Sequence, residues 1–221
     1  FFMTGRINNG PGGEATPSVS ATPRFAGSEW TSSSTLNTGT FSGLTYGSYV
    51  DIATNTVQNT YLSVGNSGTI YRSADLNTWT ATTPIVNVNL HAVAYKLAKF
   101  IAVGAEGTIL YSADSKTWKQ ATKITPHNLN AISTNGSLSI AVGDNGAIVT
   151  SKDEITWTMA TSAPSSANLY GITYTSAGNW VAVGSSGTIL TSSDGLTWTT
   201  QKSGSSADLK GVGSITSLTN N

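Results

Sequence analysis

The chain has 221 residues, and its 11 Lys and Arg balance its 11 Asp and Glu, so it lacks the long-range field that nucleic acid, an anionic membrane or an acidic substrate would call for. The absence of cysteine removes disulfides and thiolate metal sites, and stability has to come from packing. Charged residues make up only 10% of a chain rich in Ser, Thr, Asn and Gly, which favours strands and turns over helices, while 6 Trp, 8 Tyr and 5 Phe argue against disorder.

In chain order, residues 1–34 read as three strands without a leading one: Phe1-Phe2-Met3-Thr4-Gly5, Ser18-Val19-Ser20 and a strand opened by Trp30. The start at Phe1-Phe2-Met3 is expected of a processed or excised product, and no run of about 18 apolar residues predicts membrane insertion. Four complete segments follow, at 41–81, 88–120, 128–160 and 168–201, and the chain closes with residues 209–217, whose strand covers 209–214. The segments open on Leu-x-Gly/Ala-Val/Ile: Leu90 to Val93, Leu129 to Ile132, Leu169 to Ile172 and Leu209 to Val212, spaced by 39, 40 and 40 residues. The small residue of this motif recurs as Gly43, Ala92, Ala131, Gly171 and Gly211, as strands crowding a narrow axis require.

Each complete segment continues with Val-Gly-x-x-Gly, at Val64 to Gly68, Val103 to Gly107, Val142 to Gly146 and Val183 to Gly187. Glycine tolerates the positive φ of a two-residue hairpin loop, so these motifs predict tight turns between second and third strands. Ser-x-Asp-x-x-Thr-Trp comes next, as Ser73-Asp75-Trp79, Ser112-Asp114-Trp118, Ser151-Asp153-Trp157 and Ser192-Asp194-Trp198. Its aspartate suits a cap on the turn's own amides, and its tryptophan opens the fourth strand and fills the wedge between neighbouring sheets.

A fourfold strand pattern repeated about every 40 residues predicts an all-β, five-bladed β-propeller of four-stranded antiparallel blades over residues 1–221. Open ends would leave unpaired sheet edges, so the C-terminal inner strand 209–214 is expected to pair with the N-terminal strands of 1–34 and close the ring.

The Ser-x-Asp-x-x-Thr-Trp copies resemble the bacterial neuraminidase repeat, or Asp-box, usually Ser-x-Asp-x-Gly-x-Thr-Trp, between the third and fourth strands of a propeller blade. All four are one residue shorter between aspartate and tryptophan, which marks a variant. The resemblance implies a propeller and a structural role for the box residues. Sialidases of that related family hold a substrate carboxylate with three arginines and use a tyrosine nucleophile backed by a glutamate. This chain has only Arg6, Arg24 and Arg72 and no Arg-Ile-Pro signature, so sialidase activity is not expected. The repeats are also similar to those of the photosystem II assembly factor family, which contacts pigment-protein partners, although that family's arginine-rich surface is missing here.

Departures from the repeat point to function, because shared positions serve packing. Gly5 and Trp30 stand 25 positions apart against 14 for Gly184 and Trp198, and Tyr46 and Leu62 stand 16 apart against 6 for Tyr95 and Ile101. Long loops are therefore expected around Arg6, Arg24 and Phe25 and around Tyr49 and Asp51, and these five residues form the candidate ligand-binding patch, aromatic and of mixed charge. His91 and His127 occupy different repeat positions and suggest neither a metal nor a triad, while Glu106 and Asp144 read as exposed turn carboxylates. No catalytic residue, metal or cofactor is expected. The composition fits a non-catalytic binding or adhesion module of a secreted or cell-surface protein, recognising glycan or surface protein. The alternative is a structural subunit of a surface filament, sheath or virion that self-assembles by stacking.

Overall fold

The computed structural model describes residues 41–161 and 164–214. Four sheets of four antiparallel strands follow one another along the chain. Blade 1 holds β1 (Phe41–Asp51), β2 (Thr56–Gly65), β3 (Ile70–Ser73) and β4 (Thr80–Ala81); blade 2 holds β5 (Leu90–Lys96), β6 (Lys99–Gly104), β7 (Ile109–Ser112) and β8 (Lys119–Gln120). Blade 3 holds β9 (Leu129–Thr134), β10 (Ser139–Gly143), β11 (Ile148–Ser151) and β12 (Thr158–Met159); blade 4 holds β13 (Leu169–Tyr174), β14 (Trp180–Gly184), β15 (Ile189–Ser192) and β16 (Thr199–Gln201).

Within each sheet the strands lie in sequence order, the first innermost and the short, exposed fourth outermost. First strands of successive blades approach closely: a Cβ added to Gly43 would lie 3.0 Å from Ala92 Cα. Second strands are covered on both faces, and all five residues of β10 are buried. This is why the runs Phe100-Ile101-Ala102-Val103 and Ile140-Ala141-Val142 are continuously apolar rather than alternating.

The core lies in the wedges between sheets. Leu62, Val64 and Ile70 of blade 1 meet Leu90, Phe100, Leu110 and Trp118 of blade 2; Ile101, Val103 and Ile109 meet Leu129, Val149 and Trp157; Ile140, Val142 and Ile148 meet Leu169, Trp180, Leu190 and Trp198. Burying each such side chain contributes about 1.5–3 kcal/mol, so Trp118, Trp157 and Trp198 each hold two blades together, whereas Trp79 packs with Leu76, Phe41 and Tyr71 of its own blade.

The Val-Gly-x-x-Gly motifs form two-residue turns with both central residues at positive φ, as in Ser67 (52°) and Gly68 (72°) or Asn145 (54°) and Gly146 (66°). Glycine is needed at the second position for another reason too: a Cβ on Gly68, Gly107, Gly146 or Gly187 would overlap a carbonyl oxygen of the linker to the next blade, at Val86, Thr125, Ser165 or Ser205. That linker grips the turn. The N–H groups of Ser67, Glu106, Asn145 and Ser186 donate to Oδ1 of Asn89, Asn128, Asn168 and Asp208 at 3.0–3.1 Å. The Asn or Asp preceding each Leu-x-Gly/Ala motif is thus an inter-blade clasp, visible in the repeat but not singled out by it.

The five-bladed expectation meets four blades among the described residues, because the strands predicted in 1–34 lie outside them. The strand expected over 209–214 carries no ladder among the described residues. These residues instead lie against blade 4: Leu209 N–H donates to Gly184 O at 2.9 Å, and a Cβ on Gly171 would lie 3.1 Å from Gly211 Cα.

Candidate functional site

The four boxes share one geometry. Oδ1 of Asp75, Asp114, Asp153 and Asp194 accepts the serine hydroxyl two residues back and the amides two and three residues on, at 2.6–3.0 Å. The amides of Thr156 and Ile155 hold Asp153 down at about 2, and those of Thr197 and Leu196 lower Asp194 likewise. A carboxylate that already accepts three bonds on one oxygen serves as a turn cap and is poorly placed as an acid or base. The indole N–H groups of Trp79, Trp157 and Trp198 donate to the carbonyls of Leu76, Glu154 and Gly195 at 3.1–3.2 Å.

The residue after each box aspartate is left-handed, with φ of 65° at Leu76, 59° at Ser115, 68° at Glu154 and 76° at Gly195. In blades 3 and 4 its position faces the preceding blade, so these two seams differ in the residue placed there. At the seam of blades 2 and 3, Glu154 accepts from Lys96 at 2.6 Å and from Ser139 Oγ at 2.7 Å, with both charged side chains only 2–3% exposed. Lys99 spans the same seam to Asp153 O at 2.7 Å.

At the seam of blades 3 and 4 the repeat positions of Lys96, Lys99, Tyr111 and Glu154 are taken by Asn135, Leu138, Thr150 and Gly195, all smaller. A groove of about 590 Å³ opens there, bordered by the first hairpin of blade 3 and the box turns of both blades. Its volume falls in the usual range of small-molecule sites. The four smaller residues stand in separate columns of the repeat, and only the fold brings them to one seam.

A second, smaller groove of about 250 Å³ lies on blade 1, lined by Tyr49, Asn59, Arg72, Asp75 and Thr80. Arg72 occupies the repeat position of Thr150 and is partly buried. It lies close enough to Lys116 to oppose the charge there.

Of the five candidate patch residues, Arg6, Arg24 and Phe25 lie outside the described residues. Tyr49 and Asp51 are not in a loop, as expected, but in the outer end of β1, which pairs with β2 from Phe41 to Asp51. Insertions of similar length on both sides of a turn lengthen a hairpin instead of making a loop. Tyr49 is 5% exposed and packs in the core of blades 1 and 2, with Lys116 Nζ 5.9 Å from its ring centroid. Asp51 pairs with Lys116 at 2.8 Å; this bond and the Ala53 amide lower its pKa and the same bond raises that of Lys116. Both residues therefore serve the seam first, and Tyr49 alone also lines the groove.

His91 Nδ1 donates to Leu129 O at 2.9 Å, linking inner strands, and Asn130 Nδ2 repeats the link to Leu169 O at the next seam. The His127 amide donates to Thr125 Oγ1. Glu106 is exposed beside Lys123 at 3.4 Å, whereas Asp144 accepts from Asn128 and Asn130. Among the described residues no group of three His, Cys, Asp or Glu could hold a metal ion, and no helix is long and apolar enough to cross a membrane.

No protein-family model matches the chain, and no curated protein matches it. Solved structures do. "YCF48 bound to D1 peptide" is 20% identical with a TM-score of 0.55, over 73% of this chain and 53% of that one. Virginiamycin B lyase from Staphylococcus aureus is 11% identical with a TM-score of 0.58, over 74% and 70%. An ancestral GH74 enzyme is 17% identical with a TM-score of 0.53, over 63% and 22%. These neighbours are β-propeller proteins, and at such identities they establish the fold alone; this chain spans about half the length of the YCF48 chain.

Proposed function

We propose that the chain is a non-catalytic binding or adhesion module of a secreted or cell-surface protein, recognising glycan or protein through grooves between its blades. The observation that carries this reading is the division of labour in the repeat. The box carboxylates are held by turn amides, while the side chains lining the seams differ from blade to blade. A peptide-bound propeller among the structural neighbours supports protein recognition as one form of it.

The reading includes a closed ring of five blades, with Arg6, Arg24 and Phe25 on the composite blade. It is supported by the position of Gly211 beside Gly171, which repeats that of Ala92 beside Gly43, and by Lys210 Nζ 3.9 Å from the Tyr170 ring centroid. The test is a glycan array and a protein pull-down with the intact chain and with Arg72→Ala. Saturable binding that weakens about tenfold in Arg72→Ala, or on filling the blade 3 and 4 groove, is the expected result. Turnover of a fluorogenic glycoside panel, or concentration-dependent assembly without saturable ligand binding, would overturn it.

A further inference from the structure

We propose that the groove between blades 3 and 4 is a subsite for a neutral saccharide; this rests on the binding-module reading and gives it a ligand class. The groove is a consequence of four residues being smaller than their counterparts one blade earlier, not of a missing element. At the preceding seam Lys96, Lys99, Tyr111 and Glu154 occupy the same positions, and the buried ion pair of Lys96 and Glu154 joins the two blades. Gly195 lets the side chains of blade 3 close on blade 4, with Leu138 Cδ2 and Ile140 Cδ1 each 2.6 Å from where its Cβ would stand. The opening is thus built into the packing of blade 4 on blade 3.

Its lining has the chemistry of a polyhydroxyl ligand. The hydroxyls of buried Thr150 and exposed Thr158 share a hydrogen bond of 3.5 Å at the groove wall, which leaves the Thr158 hydroxyl on the open side. Asn135 uses Oδ1 on the amides of Ser137 and Leu138, which fixes the side chain and leaves its amide group as a donor. Trp180, 1% exposed, borders the groove, and its indole N–H, like that of Trp118, has no acceptor among the described residues. Leu138 and the 39% exposed Leu196 supply apolar surface for the C–H face of a sugar ring. Water held by such groups is replaced without loss when a ligand hydroxyl makes the same bonds.

Charge selects against acidic ligands, since Asp153 and Asp194 outnumber Lys152 at the rim. An extended peptide gains most of its affinity from backbone bonds along an open strand edge. This groove offers side-chain hydroxyls and amides instead.

The experiment titrates the intact chain with cellotetraose, mannotetraose and N-acetylated chitotetraose, followed by calorimetry and indole fluorescence. Thr150→Tyr and Leu138→Lys each install the blade 2 residue at its own repeat position, so that if one fails to fold the other still reports. The expected result is saturable binding of at least one tetrasaccharide at about 1 mM or tighter, weakened about tenfold or more in a folded variant. No saturable binding of any of the three up to about 10 mM, or binding indifferent to both changes, overturns the subsite. Binding on the array or in the pull-down that is lost in Arg72→Ala but ignores both groove changes sinks the subsite and leaves the module reading standing. Absence of binding in every format sinks both.

Discussion

The two seams on either side of blade 3 use one backbone design for opposite ends. Between blades 2 and 3, two lysines, a tyrosine and a glutamate fill the space, with the buried ion pair at its centre. Between blades 3 and 4, an asparagine, a leucine, a threonine and a glycine leave it open. The hydrogen-bonded frame is the same in both: the clasp from the linker to the tight turn, the box cap and the wedge tryptophan recur with nearly equal distances. The hydrogen-bonded frame and the lining of the seams thus reside in different columns of the repeat, and one can change while the other stays.

The comparison breaks most visibly at the ion pair. Lys96→Met leaves Glu154 buried without its ion-pair partner and should cost about 3–5 kcal/mol in urea unfolding. The double change Lys96→Asn with Glu154→Gly, which copies the open seam, should cost less than the sum of its single changes, and a strictly additive result would refute the coupling. A smaller effect of opposite sign is expected at Ser115, whose left-handed φ and buried, unpartnered hydroxyl both disfavour the native state. Ser115→Gly should raise stability by about 1 kcal/mol, measured as a higher urea midpoint at unchanged slope. Asn168→Ala removes the clasp on Asn145 and should cost about 0.5–1.5 kcal/mol.

The smallest effect concerns pH. Asp153 is held at about 2 from an ordinary 3.8, first by the Thr156 amide and then by that of Ile155. A lowered folded pKa gives stability that is present above about pH 4 and is lost as the pH falls through about 2. Because the group is exposed and screened, the contribution is below about 1 kcal/mol. The thermal midpoint should fall across that window, and Asp153→Asn should flatten the fall without removing it, since the other box aspartates titrate alongside.

Much of the frame was legible because its requirements are local. The tight turns announce themselves through Gly68, Gly107, Gly146 and Gly187, and the boxes through an aspartate three residues before a threonine amide. Tyr49 and Asp51 were misplaced because counting residues between landmarks measures an insertion but not whether its two halves pair. The open groove was hidden for a different reason. It is a difference of volume at Asn135, Leu138, Thr150 and Gly195, residues brought together from two blades, and nothing about any one of them signals a cavity.

The Asn and Asp clasps also give the molecule a direction in time. Each tight turn of one blade donates a backbone N–H to a residue about 22 positions further along, Ser67 to Asn89 Oδ1 and Glu106 to Asn128 Oδ1 among them. A chain emerging from the ribosome can pair all four strands of a blade before the residue that takes its tight-turn amide has appeared, so a polypeptide cut between two blades ends on a complete sheet whose turn amide lacks its acceptor.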